Sequence, residues 1–489
     1  MISIQAKKHD NYSVEFKFGF NCNEDSRSDD FSVNAWVFVP NSLGVNAENY
    51  GKKQFYRDVK SNVRLITPIY LLREIARDDS LPLTSLRNAM ERLLHSQTST
   101  DVDSYEYHLK MFAAIFKSSV RNHSLHIRSV NSLATDDYLV DDYIGSTDAV
   151  LVKFRAMYRI IDVPTVPEKI RAYFRLCDEF MGHVVTFQTI RVIKYIDTLS
   201  SGPERPDISH ARCALASLVR KEQEYMKGRG YGIVTDDCEH NRRLVYHRGM
   251  LKKFIESELY IRLDKKRDGV AVEQLYYSIA AGVAMIFATA VAWITQTRFG
   301  NITWPLFVAL VVSYMLKDRI KELMRYYFAH RLGNKYYDNK AEITIGKKRV
   351  GEIKEGFDFI SADRLPMEVK NLRDSAAGID EEANILEEKV MLYRKRLSMD
   401  NEALASNDDY PMRGINEIMR LHLNRFTLKM DNPEVPIDTL DSEGSIGTVL
   451  VDKIYYLNVV FNLVHGSECE FRHFKIAMTR DGVLSVDEL

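Results

Sequence analysis

The sequence predicts an α+β membrane protein, with an N-terminal strand pair, a large all-α region, a two-helix transmembrane hairpin and a C-terminal α+β region with antiparallel sheet. Three observations carry this. Two apolar runs, Leu275–Thr295 and Ile302–Leu316, lie close together past the middle of the chain. Apolar residues alternate near both ends of the chain, and between those ends and the first apolar run their period is helical. At 489 residues several folding units are expected, taken as 1–45, 52–268, 272–318 and 319–489.

Val14, Phe16, Phe18 and Phe20 fall on one face against Glu15 and Lys17, and Phe31, Val33, Ala35, Val37 and Val39 repeat the pattern up to Pro40. A period of two predicts two half-buried strands joined by the polar stretch 21–30. With both chain ends expected in the cytoplasm, this pair is expected to join the C-terminal sheet and cover its open edge.

The region 52–268 reads as helices. Thr67-Pro68 and Thr165 with Pro167 have the form of helix openings, through Arg77 and about Leu199 respectively. Further helices are predicted at 81–95, 103–118, 149–161, 208–227 and 239–265. The last would run into the first apolar segment with only Gly269 as a break, coupling the helical region to the membrane.

Leu275–Thr295 contains no charged residue and is long enough for a hydrocarbon core of about 30 Å. Ile302–Leu316 is shorter and needs tilt, local thinning or snorkelling by Lys317. Lys265, Lys266 and Arg267 precede the pair and Lys317, Arg319, Lys321 and Arg325 follow it, whereas the connecting loop holds only Arg298. The positive-inside rule therefore predicts two spans in a plasma or inner membrane, with N- and C-termini cytoplasmic and membrane lipid as a partner at the basic flanks. No apolar run follows Lys7 and Lys8, so no signal peptide is expected. Trp293 and Trp304 mark the interface on the loop side. Ala280, Ala284, Ala288 and Ala292 form a small-residue stripe, with Pro305, Ala309 and Ser313 opposite it. The stripe fits either packing within the hairpin or a homodimer seam. Only Ser278, Thr289 and Ser313 could line an oligomeric pore.

Beyond the spans, 317–332 predicts a basic helix at the inner leaflet, and 341–345 with 350–353 a strand hairpin turned at Gly346-Lys347. Ile379, Ala383, Leu386, Val390, Tyr393 and Leu397 have the alternating spacing of an apolar helical seam, for packing or dimerisation. Strands are predicted at 418–430, 449–464, 471–479 and 483–486, as an antiparallel meander.

Chemistry is less visible. A net charge of −1 gives no overall attraction to nucleic acid, which is not expected as a partner. The five cysteines have neither disulfide-framework nor zinc spacing. No cofactor or metal site is expected. The densest polar cluster, Asp236, Asp237, Glu239 and His240 around Cys238, supplies the weak catalytic candidates, and an N-terminal helix cap with an acidic first turn explains the same residues. His247 lies two turns beyond. The glycines of 227–232 read as a helix terminus rather than a phosphate loop. Asp136, Asp137, Asp141 and Asp142 are expected in a solvated loop and His123 and His126 in a polar one, while His465 and His473 could meet across a hairpin. The expectation is a membrane-anchored cytoplasmic scaffold, sensor or effector with a protein partner or homo-oligomer. A tethered enzyme and an oligomeric membrane-disrupting defence or toxin protein are the alternatives.

Overall fold

The computed structural model describes residues 2–23, 26–129, 137–199, 209–299, 304–333, 337–345, 348–375, 388–406, 410–440 and 444–489. Two units divide the chain: Leu65–Tyr260 with Tyr410–Met412, and Met1–Arg64 with Ile261–Asp409 and Arg413–Leu489. Mixed helix and antiparallel sheet is the fold class.

The first unit is helical. Its long helices are α1 (Leu81–His95), α2 (Ser99–Ser129), α3 (Asp137–Ile161), α4 (Glu168–Leu199), α5 (Ser209–Gly228) and α6 (Cys238–Ile255). Pro82 stands in the first turn of α1, where its missing N–H costs nothing, and Leu83, Leu86, Met90 and Leu93 form its buried stripe. Phe112 of α2, Phe154 of α3 and Phe174 of α4 stack in a column, with centroids 5.3 and 4.3 Å apart. Tyr410, from the later segment of this unit, is buried with its hydroxyl 3.1 Å from His108 Nδ1.

Several helical expectations are corrected here. The helix opened by Thr67-Pro68 is a single turn, Leu72–Ile75, because Glu74 folds back onto the Leu71 N–H and a new helix starts at Leu81. His123 and His126 lie inside α2 rather than in a loop, and Asp137, Asp141 and Asp142 lie on α3. Asp136 is outside the described residues. The helix expected over 239–265 ends at Ile255, and Arg262–Arg267 is a strand.

The second unit is built on strands β1 (Ile2–Asp10), β2 (Ser13–Asn21), β3 (Ser28–Pro40), β4 (Val59–Leu65), β5 (Arg262–Arg267), β6 (Asn339–Ile345), β7 (Lys348–Ile360), β8 (Glu388–Asp400), β9 (Gly414–His422), β10 (Glu434–Leu440), β11 (Ile446–Asp452), β12 (Tyr455–His465), β13 (Glu468–Thr479) and β14 (Gly482–Glu488). They form a sheet β14-β13-β12-β3-β8-β7-β6-β5, a sheet β1-β2-β9-β4 and the pair β10-β11. The N-terminal strands thus enter both larger sheets: β3 lies between β12 and β8, and β2 pairs with β9. Phe16 and Phe18 pack edge-on against Phe461, at 5.0 and 5.6 Å, and Phe20 against Phe31 at 5.4 Å, so the aromatic row of β2 joins the two sheets. Behind the larger sheet, Trp36, Phe38, Val390 and Val460 meet Val369 of the helix Met367–Ser375.

Part of the predicted seam is a strand. Val390, Tyr393 and Leu397 lie on β8, hydrogen-bonded on both sides by β3 and β7, while Ile379, Ala383 and Leu386 lie outside the described residues. The buried row is Met391, Tyr393, Lys395, Leu397 and Met399, a period of two with a lysine in it. The expected strand 418–430 stops at His422 before the short helix Asn424–Thr427, and 449–464 is split between β11 and β12. Gly346-Lys347 lies outside the described residues.

Two long helices, α7 (Val270–Phe299) and α8 (Trp304–Gly333), connect β5 to β6. Those strands are antiparallel neighbours, with Lys266 opposite Lys340 and Arg267 opposite Asn339, and the Asp268 N–H reaches the Asp338 carbonyl at 3.3 Å. Gly269, at φ +72°, turns the chain from β5 into α7. The helix pair is therefore an insertion between two paired strands at one sheet edge. It continues the sheet unit, not the helical one.

Candidate membrane-spanning site and buried charge clusters

Among the described residues, Val270–Arg298 is the one stretch of helix long and apolar enough to cross a membrane. The second helix is apolar only until Lys317. Ala280 and Ala284 are buried and Ala288 and Ala292 half-buried, as is fitting where α7 packs along α8, which contributes buried Ser313. The side chains of Pro305 and Ala309 lie outside the described residues, as do most of the connecting residues. Ile286, Trp293, Trp304 and Met315 are all more than half exposed. Ser278 and Thr289 donate to carbonyls of their own helix, Gln274 at 2.9 Å and Met285 at 2.6 Å, which satisfies a hydroxyl in apolar surroundings.

The basic flanks are not equivalent. Lys265, on β5, donates to buried Glu355 at 2.8 Å and so belongs to the sheet's interior charge network. Arg267 pairs with Glu273 at 3.3 Å and Lys266 is exposed. On α8, Lys317 lies over the Tyr314 ring at 3.9 Å, Arg319 pairs with Glu322, and Arg325 lies 5.0 Å from the ring of Tyr277 on α7. Lys321 is half-buried.

The weak catalytic candidates are a helix start. Asp237 is the N-cap of α6, accepting from the Glu239 N–H at 3.0 Å, and Glu239 pairs with Arg242 and Arg243. His240 Nε2 sits 3.0 Å from the Ile233 carbonyl. Asp236, Asp237, Glu239 and His240 are all exposed, and no group of three metal-ligating side chains is gathered among the described residues. His465 and His473 do not meet: the first stacks on Phe31 and faces Asp29 at 3.1 Å, the second faces Asn458.

The structure gathers charge elsewhere. In the helical unit, Asp178, Glu179 and His183 of α4 are buried. Arg155 of α3 bridges Asp178, at 2.8 Å, and Glu222 of α5, while Tyr225 and Tyr231 donate to the other oxygen of Asp178 at 2.8 and 3.1 Å. Burial, then the Asp178 charge, pushes Tyr225 up to about 12. Burial opposes the charge on Arg155, but Glu222 and Asp178 outweigh it and hold the guanidinium firmly protonated. Glu179 faces His247 of α6 at 3.1 Å and His183 at 3.6 Å. Burial would raise its carboxyl, yet the two imidazoles and the Gly232 N–H draw it below the ordinary value. The cavity beside Arg155 and Asp178 is only about 10 Å³, room for about one water and no substrate.

In the sheet unit, buried Lys395 of β8 lies between Glu355 of β7, at 3.1 Å, and Glu417 of β9. Burial works against ionised Glu355, but Lys395 and Lys265 bring its pKa down to about 2. Tyr393 donates to the same carboxylate at 3.1 Å. These side chains cross-link strands of both larger sheets. The sequence singles out Lys265 as a membrane flank, Tyr393 as part of a seam and His247 beside the polar cluster. It singles out none of the buried acids or Lys395, whose signal is charge inside apolar stretches, Asp178-Glu179 and His183 within 177–185 and Lys395 within 390–399.

No family model and no curated protein matches the chain. A de novo designed 16-helix transmembrane nanopore is similar at 12% identity over 53% of this chain and 93% of that one, with a TM-score of 0.16, too low to bear on the fold.

Proposed function

We propose that this chain is a membrane-anchored scaffold, sensor or effector in which α7 and α8 cross the bilayer as a hairpin and both folded units lie on the cytoplasmic side. The observation that carries the reading is the placement of α7: a long apolar helix with exposed apolar side chains, inserted between two strands that already pair with each other. A core helix would instead be covered by its own protein. Basic residues at both outer ends of the pair fit contact with an anionic inner leaflet, Lys265 excepted.

Because β5 and β6 are antiparallel neighbours that pair up to Asp268 and Asp338, residues 269–337 can be replaced by a two-residue Asn-Gly turn. The shortened protein should leave the membrane fraction, remain soluble without detergent and keep its strand signal in circular dichroism. Aggregation or loss of folding would show instead that α7 and α8 belong to a protein core.

A further inference from the structure

Strands β12, β3 and β8 are neighbours in the larger sheet, and at one end of it Pro40 closes β3 where Glu388 and Tyr455 begin β8 and β12. A cavity of about 260 Å³ lies there. Pro40, Ile454, Tyr455 and Tyr456 give it an apolar and aromatic wall, and its charged lining sets Arg373, Lys429 and Lys453 against Glu388 and Asp431. The three cations are placed unequally. Arg373, on the helix Met367–Ser375, is buried and donates from Nη2 and Nε to the two oxygens of Glu388 at 2.9 and 3.3 Å, so this side of the lining is neutral. Lys453, whose N–H holds the Pro433 carbonyl at 2.7 Å at the base of β10–β11, pairs with Asp431 where both side chains reach solvent. Lys429 is exposed and donates to the Gly44 carbonyl at 2.9 Å; no carboxylate among the described residues pairs with it. An exposed pair such as Lys453–Asp431 is weak, so Asp431 can turn to water and leave two ammonium groups on the solvent side of the cavity.

We propose that this cavity binds a small organic phosphate monoester, its anion held by Lys429 and Lys453 and its apolar body laid against Tyr455 and Tyr456. Charge selects the head group. A phosphate monoester carries about two negative charges near neutrality, which matches two lysines, and lysine binds phosphate as a point charge. Volume selects the rest of the ligand. About 260 Å³ falls just under the roughly 300–1,000 Å³ of drug-sized ligand sites, enough for one ring or a short chain and too little for a stretch of nucleic acid or a protein segment. Every lining residue belongs to the sheet unit, so the site stands whether or not α7 and α8 cross a bilayer.

Calorimetric titration of the full chain in mild detergent with phenyl phosphate tests it. Saturable binding is expected, tighter than that of inorganic phosphate, and none is expected for benzylamine, which has the ring and the opposite charge. Lys429→Gln combined with Lys453→Gln should weaken phenyl phosphate binding about tenfold. The thermal midpoint should stay unchanged, since both side chains reach solvent. Lys348→Gln, exposed at the opposite end of the sheet, should leave binding as it was. Absence of saturable phenyl phosphate binding, an equal loss in Lys348→Gln, or benzylamine bound as tightly would overturn the site. Inorganic phosphate bound as tightly would overturn the part given to Tyr455 and Tyr456. Some lipids also end in a phosphate monoester. Displacement of bound phenyl phosphate by vesicles containing phosphatidic acid would support the site with a lipid head group as its ligand, and no displacement would support it with a soluble metabolite.

Discussion

Helices α4 and α7 are of similar length, 32 and 30 residues, and treat charge in opposite ways. The middle of α4 carries Asp178, Glu179 and His183, all buried: α3 and α5 bring Arg155 and Tyr225 to Asp178, α6 brings His247 to Glu179, and His183 lies beside Glu179. Between Glu273 and Arg298, α7 carries no Asp, Glu, Lys, Arg or His, and it exposes aliphatic and aromatic side chains instead. A folded neighbour can supply a counter-charge at fixed geometry; hydrocarbon cannot. A helix buried in protein and one long and apolar enough to cross a membrane therefore carry different marks at similar length.

The sharpest way to break the comparison is to remove the counter-charge from α4. Arg155→Leu leaves Asp178 and Glu222 buried without their cation, and the helical unit should lose about 3–5 kcal/mol in urea unfolding. A loss below about 1 kcal/mol would mean that water already reaches the cluster. The converse change places a charge on α7: Ile286→Lys should disfavour insertion by about 2.5–3.5 kcal/mol and lower the membrane-bound fraction in an insertion assay. The same substitution at exposed Val245 of α6 should leave fractionation unchanged.

Acid probes the sheet unit's buried charge. The Glu355 carboxyl titrates at about 2 in the fold, against 4.5 ordinarily, so the folded form is favoured at any pH above the ordinary value. That contribution is lost as pH falls from about 4.5 toward 2, and the thermal midpoint should drop over the same interval. Lys395→Met should lower stability near neutrality and flatten this part of the pH profile, because the lysine charge is what holds Glu355 ionised. A profile unchanged by Lys395→Met would contradict the network. The smallest expected effect is at the α6 cap, where Asp237→Ala should cost about 1 kcal/mol, while His240→Ala changes little.

These pairs also show what could be read from sequence. The rows Val14-Phe16-Phe18-Phe20 and Val33-Ala35-Val37 announce strands by alternation alone, and the charge-free run of α7 announces a helix suited to lipid. β8 was hidden because Lys395 occupies its buried row, leaving Val390, Tyr393 and Leu397 at helix-like intervals. β5, Arg-Leu-Asp-Lys-Lys-Arg, has one apolar residue; its extended form is imposed by pairing with β6, a contact across more than seventy residues that no local pattern records. The acidic pair in α4 was visible as a polar break in an apolar run, but its partners lie on other helices. Asp236 to His240 drew attention by density in sequence, and a cap accounts for them.

The central claim is that α7 and α8 cross a membrane with both folded units on one side. A membrane-impermeant maleimide applied to intact cells tests it through Cys238 in the helical unit, Cys469 in the sheet unit and an introduced Thr297→Cys at the far end of α7; the native pair is exposed in the fold. The account predicts that Thr297→Cys is labelled from outside and that Cys238 and Cys469 react only after the membrane is opened. Labelling of Cys238 or Cys469 in intact cells, or protection of Thr297→Cys until lysis, would contradict it.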